Sequence, residues 1–392
     1  MAGIYIHVPF CASRCIYCDF FSTTQGAEQR EAYTRAVCHE IEAHAPEGPA
    51  PQVQTVYFGG GTPSQLAPAQ VARILRCIGH RFCIGPDAEI TLEMNPDDVP
   101  AFLDRSHGTL RFGSGHDHDL PHINRVSLGI QSFHDDTLRL IRRRHDAAAA
   151  IGAVRMLQQA GIDNISIDLI YGLPGQTIGH WQHDLDTAFG LGIQHLSAYA
   201  LSYEHGTRLW LMRQQQLVHE TDDDTVVAMY QLLCQRAAEA QFEHYEISNF
   251  ALPGRHSRHN SSYWAGTPYF GFGPGAHSYD GNRTRWANSP DLEAYLSCWN
   301  GADTTTPPRT YEQLTEAELF DEAVMCGLRT SQGIDLQQIE HHFGAERAAY
   351  LRRMAEPYIR ANALAISGQR LRLTQKSLMI SDDIMSDLMA EP

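Results

Sequence analysis

Along the first half of the chain, short β-branched or aromatic runs alternate with longer amphipathic stretches. IYIHV (from Ile4), VQTVYF (from Val53), AEITLEM (from Ala88), NRVSLGI (from Asn124), DNISIDLIY (from Asp163) and QHLSAYAL (from Gln194) read as strands. Helical periodicity fills 29–43, 68–78, 147–159 and 178–191 between them. At least six strands with helical crossovers predict an α/β fold built on a parallel sheet or barrel. The segments CASRC, GGGTP, EMNP, GIQSF and DLIYGLPGQT fall at or just after strand C-terminal ends, the face where barrel active sites assemble.

Two stretches break the pattern. HGTLRFGSGHDHDLPH (from His107) sits where a helix should join the third and fourth strands, and its histidines and glycines have no helical period. A flexible or rearranged loop is expected there, with metal binding by His116, His118 and His122 as the lesser alternative. GADTTTPPRT (from Gly301) reads as a linker dividing 1–300 from 301–392. Beyond it, helices over 315–329, 335–343 and 347–361 precede a hairpin in ALAISGQRLRLT and an amphipathic run, SDDIMSDLM. That order predicts a small α+β, winged-helix-like unit.

Composition narrows the function. The chain has 392 residues, 43% of them apolar, and a formal net charge of −16, which disfavours a nucleic-acid binder. Lys376 is the only lysine, so the Walker-type GxxxxGK[ST] phosphate loop is absent and Schiff-base chemistry is all but excluded. No run approaches the roughly 20 apolar residues that span a bilayer. Without a visible export signal, a cytoplasmic address is expected. Nine cysteines in such a chain argue against a disulfide framework. Six are scattered singly and read as buried small apolar residues.

The other three are clustered. CASRCIYC holds Cys11, Cys15 and Cys18 directly after the first strand. A closed zinc site needs four ligands, and no second pair follows at finger spacing. A ferredoxin-type cluster takes four thiolates, and Cys38 lies inside the first predicted helix. The favoured reading is a [4Fe–4S] cluster with one iron open to an exchangeable ligand; a closed metal site or chance spacing are the alternatives.

C-x₃-C-x₂-C after an N-terminal strand resembles the radical S-adenosylmethionine (SAM) superfamily. The resemblance implies a partial (β/α)6 TIM-like barrel in which SAM chelates the fourth iron. Gly59-Gly60-Gly61-Thr62-Pro63 is similar to the family's glycine motif. Glu93 in LEMNP, Gln131 in LGIQSF, Arg143 in RRRH and Asp168 in SIDLIY match SAM-contacting positions. With Tyr5, Tyr17, Gly60, Gly61 and Thr62, these residues are the SAM contacts that the resemblance implies.

HVPFCxxxCxYCDF, GGGTPSxL, DLIYGLPGQT, YEISNFA, HNSSYW and GPGAHS together resemble the heme-chaperone (HemW) branch of the oxygen-independent coproporphyrinogen III oxidase-like family. That branch implies heme binding, an unidentified heme-acceptor protein, a cytosolic electron donor and room for peripheral membrane contact. His259 of HNSSYW is the expected heme ligand and His277 of GAHS the next candidate; Arg255 and Arg258 are expected to meet the propionates. The competing readings are the oxidase itself, which decarboxylates propionates to vinyls, and a radical SAM enzyme for another substrate.

Any single Cys→Ala change at Cys11, Cys15 or Cys18 is expected to abolish an oxygen-sensitive cluster, because alanine offers neither charge nor softness to iron. Iron and sulfide content of anaerobically purified variants checks this. Equal loss in Cys38→Ala would overturn the open-iron assignment.

Overall fold

A computed structural model describes residues 2–44, 51–112, 122–301 and 308–390. The six expected strands all form, as β1 (Ala2–Val8), β2 (Gln52–Gly60), β3 (Cys83–Met94), β6 (Arg125–Gln131), β7 (Ile165–Tyr171) and β8 (His195–Ala200). Between β3 and β6 lie two-residue strands β4 (Arg111–Phe112) and β5 (His122–Ile123), paired parallel with each other. The helices of this half are α1 (Ala27–Ala43), α2 (Pro68–Arg81), α3 (Val99–Ser106), α4 (Asp135–Leu140), α5 (Ala147–Gln159) and α6 (Ile178–Gly190).

β1, β2, β3, β6, β7 and β8 are parallel neighbours in that order. The chain then runs through α7 (Arg208–Gln214) and α8 (Asp223–Glu239) to β9 (Glu243–Glu246) and β10 (Asn249–Ala251), which extend the β8 edge antiparallel. After α9 (Arg258–Trp264), β11 (Tyr269–Phe272) adds parallel to β1 at the other edge. β12 (His277–Tyr279) and β13 (Thr284–Asn288) continue it antiparallel; α10 (Leu292–Asn300) and β14 (Arg309–Gln313) follow. Among the described residues the sheet ends at β14 on one side and β9 on the other, so the barrel is open.

The strands alternate strictly, and the alternation decides the chemistry. Ile4, Ile6, Val8, Val56, Phe58, Leu92, Val126, Leu128, Ile165 and Ile167 point to the helices and form one buried core with them. The opposite faces meet in the lumen as polar rows. Register places Tyr5 beside Tyr57, Thr91 and Arg125, and Glu93 beside Ser127, Ser166 and His195. An ordinary barrel interior is packed with branched apolar residues; this one is built to hold something polar.

One expectation needs correction. The third crossover does carry a helix: α3 has Pro100 in its first turn, where proline costs no intrahelical bond. The histidine-rich loop begins only after it; His116 and His118 lie outside the described residues. The barrel sheet takes in β14, which pairs along all of β13.

The remaining chain has its own apolar core, beginning at Phe320. It comprises α11 (Glu316–Arg329), α12 (Leu336–Arg360), α13 (Ser381–Leu388) and a sheet of β15 (Ile334–Asp335), β16 (Leu364–Ser367) and β17 (Arg370–Leu373), in the order β15-β17-β16. Gly344, at φ 83°, divides α12 into the two helices expected from sequence.

A buried carboxylate ties the β14 edge to the barrel. Glu40 of α1 accepts from Gly273 N (2.9 Å), Asn288 Nδ2 (2.8 Å), Tyr295 Oη (2.6 Å) and Arg309 Nη2. Arg309→Ala leaves that carboxylate buried without its cation, so a loss of about 3–5 kcal/mol is expected. Chemical denaturation checks it; a loss below about 1 kcal/mol would mean that the hydrogen bonds alone suffice.

Candidate functional site

The site grows from the C-terminal ends of β1 and β2. Past Val8 the chain enters the loop bearing Cys11, Cys15 and Cys18, and past Gly60 it enters GGGTP. The two are zipped together: Gly61 N donates to Val8 O (2.9 Å) and Thr62 N to Phe10 O (2.7 Å). A second clasp joins Cys11 N to Thr23 O (2.8 Å), closing the cysteine loop on itself.

The glycines are obligatory for a reason internal to the protein. Gly60 has φ +106°, and a Cβ there would lie 2.6 Å from the His7 ring. A Cβ on Gly61 would lie 2.9 Å from the carbonyls of both Val8 and Phe10.

All three thiols are partly buried and free. Burial raises Cys11 and pushes Cys18 up to about 11, so without a metal those two thiols stay protonated. The three sulfurs are not among the ligand atoms that converge within 4.8 Å.

The remaining expected residues meet this loop from neighbouring strands. Thr62 Oγ1 lies 3.5 Å from Cys11 Sγ, and Arg143 Nη1 lies 3.5 Å from Cys15 Sγ. Arg143 Nη2 also donates to Asn95 Oδ1 (2.6 Å) and Gly129 O, which pins the guanidinium across the barrel mouth. Tyr17 is buried beside Cys15 and Arg143, and burial raises its phenol well above the usual value, with the Arg143 charge pulling the other way.

Gln131 ends β6 at a register shift with φ +74°, a backbone region costly for any non-glycine residue and typical of functional positions. Glu93 accepts from Tyr57 Oη (2.6 Å), and Asp168 accepts from Ser127 Oγ (3.3 Å). Burial pushes Glu93 up to about 7 and Asp168 to about 6, only partly offset by these bonds and by the Arg125 charge. Two acids poised to ionise in one lumen invite a cationic ligand. Tyr5 stacks on Tyr57 at 6.2 Å beside them.

Sequence reasoning missed Tyr57, Asn95 and Arg125. Arg125 is the one large cation buried in the lumen among the described residues, at 1% exposure. Its place on a strand opposite Thr91 was the available signal.

His259 does not sit where a heme ligand should. Its ring is buried at 1% exposure, with Thr55 Oγ1 2.8 Å from Nδ1 and Tyr263 Oη 2.8 Å from Nε2. It stacks on Tyr57 at 5.0 Å, and burial lowers its pKa to about 3, which holds it neutral. Neither nitrogen is free for iron, so its work as folded is to brace the lumen tyrosines. Arg255 and Arg258 lie at the opposite end of the strands, against Asp163 and the Asp87 carbonyl. His277 instead borders a cleft of about 1680 Å³ between the barrel mouth and the C-terminal unit. Tyr5, Phe21, Trp264, Tyr279, Arg283 and Phe343 also line it.

A polar-lined open parallel barrel with a three-cysteine loop beside a glycine turn defines a radical SAM protein. The Radical SAM superfamily model matches residues 5–188, and the HemN C-terminal domain model matches 314–380. The chain is 36% identical to heme chaperone HemW of Mycobacterium tuberculosis over 99% of this chain and 94% of the relative. It is 29% identical to heme chaperone HemW of Bacillus subtilis, covering 100% of both chains. Among solved structures, coproporphyrinogen III oxidase (HemN) of Escherichia coli superposes with a TM-score of 0.79 at 21% identity, over 99% of this chain and 90% of that one. The protein therefore belongs to the HemW family within the radical SAM superfamily, whose members use a [4Fe–4S] cluster and SAM.

Gly60→Ala is expected to cost about 2–5 kcal/mol, combining left-handed backbone strain with overpacking against His7, and to lower cluster iron content as the loop loses its clasp. Gly79→Ala, on an open face of α2, is the control: it should leave iron content unchanged and stability equal or slightly raised. Thermal unfolding and iron assays check both; a stable, fully loaded Gly60→Ala protein would sink the argument.

Proposed function

We propose that this protein is a heme chaperone that retains a SAM-ligated iron–sulfur site and hands heme to an acceptor protein. Full-length similarity to curated heme chaperones supports the reading, and the aromatic cleft beside the barrel mouth carries it: its volume exceeds the roughly 300–1,000 Å³ of an ordinary small-molecule pocket and suits a flat macrocycle.

In this reading Cys11, Cys15 and Cys18 hold the cluster. Tyr5, Tyr17, Gly60, Gly61, Thr62, Glu93, Gln131, Arg143 and Asp168 line the SAM pocket. Reduced cluster and SAM together supply one-electron chemistry, as in the superfamily at large. The chain's own part is to orient and exclude water. Arg143 holds the mouth, with its guanidinium 3.5 Å from the Cys15 sulfur. Glu93 and Asp168 offer carboxylates to the ammonium and sulfonium charges of SAM. The His259–Thr55–Tyr263 bonds keep the tyrosine wall rigid.

We assign heme to the cleft, with His277 as axial ligand in place of His259 and Arg283 as a propionate contact. We divide the chain at residue 314, where β14 has ended and the HemN C-terminal match begins. A cytoplasmic address is inferred, supported by nine cysteines without a disulfide. An electron donor there completes the scheme; no helix among the described residues is long and apolar enough to cross a membrane, and peripheral contact is compatible with the reading.

The anaerobic full-length protein is expected to bind heme saturably, and His277→Ala to shift the Soret band and weaken binding about tenfold or more, while iron–sulfur content stays intact. His259→Phe should leave the Soret position unchanged. Incubation with reductant, SAM and coproporphyrinogen III should give no protoporphyrinogen. Formation of that product, or failure to bind heme, would replace the chaperone with the oxidase or another radical SAM reaction.

A further inference from the structure

One cluster of ligating side chains has no part in the barrel site. His134 stands at the N-cap of α4, and His183 with Asp184 lies on α6. Their ligand atoms all lie within 4.8 Å of one another, the one such histidine, cysteine or carboxylate group among the described residues. Asp184 is fully buried. Its Oδ1 accepts from Phe133 N at 2.7 Å and its Oδ2 from Ser132 Oγ at 3.0 Å, so the carboxylate is aimed before any ligand arrives.

His134 Nε2 lies 3.8 Å from Asp184 Oδ1 and 3.1 Å from the His180 carbonyl. The His183 ring is exposed and 4.8 Å, centre to centre, from that of His134. A buried carboxylate facing a partly exposed imidazole, with a second, exposed imidazole beside them, is short of positive charge. Two hydrogen bonds that orient a ligating carboxylate are the outer-shell support metal sites use.

We propose that His134, His183 and Asp184 form a second metal site, distinct from the cysteine loop, for a borderline divalent cation, with Zn²⁺ the expected occupant. Two imidazoles and one carboxylate leave a fourth position for water, and this N₂O set suits zinc better than the hard cations calcium and magnesium. The chain's net charge of −16 favours a cation at its surface. The ion clips the turn Gln131–Ser132–Phe133–His134 onto α6. Because Gln131 holds a left-handed backbone at the end of β6, bracing that turn steadies the mouth of the barrel. The inference stands whether or not the protein carries heme.

The test uses the full-length chain, free of any affinity tag, with Cys11, Cys15 and Cys18 changed to alanine so that no thiolate cluster competes. Zn²⁺ is titrated against a chromophoric chelator. One equivalent should bind, with affinity falling at least tenfold in His183→Gln and in Asp184→Asn. His183 is exposed, so its variant keeps the fold, and far-ultraviolet circular dichroism verifies that. In the cluster-loaded protein, saturating Zn²⁺ should raise the unfolding midpoint, and His183→Gln should lose that rise. Binding in His183→Gln equal to the parent's, or no saturable equivalent at all, overturns the proposal.

Discussion

The close approach of two backbone segments at the barrel mouth is the constraint on which the site depends. Gly60 and Gly61 bring the end of β2 against His7, Val8 and Phe10, closer than any side chain would permit. Two amide hydrogen bonds seal that contact, and the cysteine loop leaves from it. Thr62 then reaches Cys11, and Asn95 reaches Thr62 at 3.3 Å, so the third strand is drawn into the same structure. A loop hung from such a clasp has little freedom left, which is what preorganised ligation requires.

Behind the mouth, the lumen has an electrostatic balance of its own. Glu89, Glu93 and Asp168 share it with one fully buried guanidinium among the described residues, Arg125. Glu89 is committed to the backbone amides of Arg258 and His259, at 3.1 Å each. That leaves Glu93 and Asp168, both raised by burial, as the acids with most to gain from a cationic guest. His259, Tyr57 and Tyr263 form the apolar side of the same space, with every ring nitrogen of His259 engaged.

The C-terminal unit is not an independent appendage in this arrangement. The strand that leads into it, β14, belongs to the barrel sheet, where its Arg309 neutralises Glu40 of α1. From the other side, Arg329 of α11 stacks over Trp264 of α9 at 4.8 Å, and Arg285 of β13 pairs with Glu322 of α11. These contacts form two walls of the cleft. The cleft thus exists only because both units are present, and a ligand in it would touch each.

Local pattern determined the strands, most crossover helices, the cysteine spacing and the glycine turn, because a period of two or 3.6 and a fixed ligand interval are properties of short segments. The places of Gly60 and Gln131 at the ends of β2 and β6 were legible as well, since strand direction follows from parallel topology, whereas Tyr17 and Arg143, which lie off the strands, were named only through the family resemblance. The short helix α3 was not, because eight residues with a proline in the first turn carry too little periodicity. Nor was the fate of His259: adjacent aromatics in HNSSYW suggested an open face, whereas Thr55 lies 204 residues away and takes one ring nitrogen. Arg309–Glu40, the cleft and the His134–His183–Asp184 group likewise join residues remote in sequence. Those pairings are set by sheet order and helix packing, which bring side chains together only once the whole barrel has closed around its core.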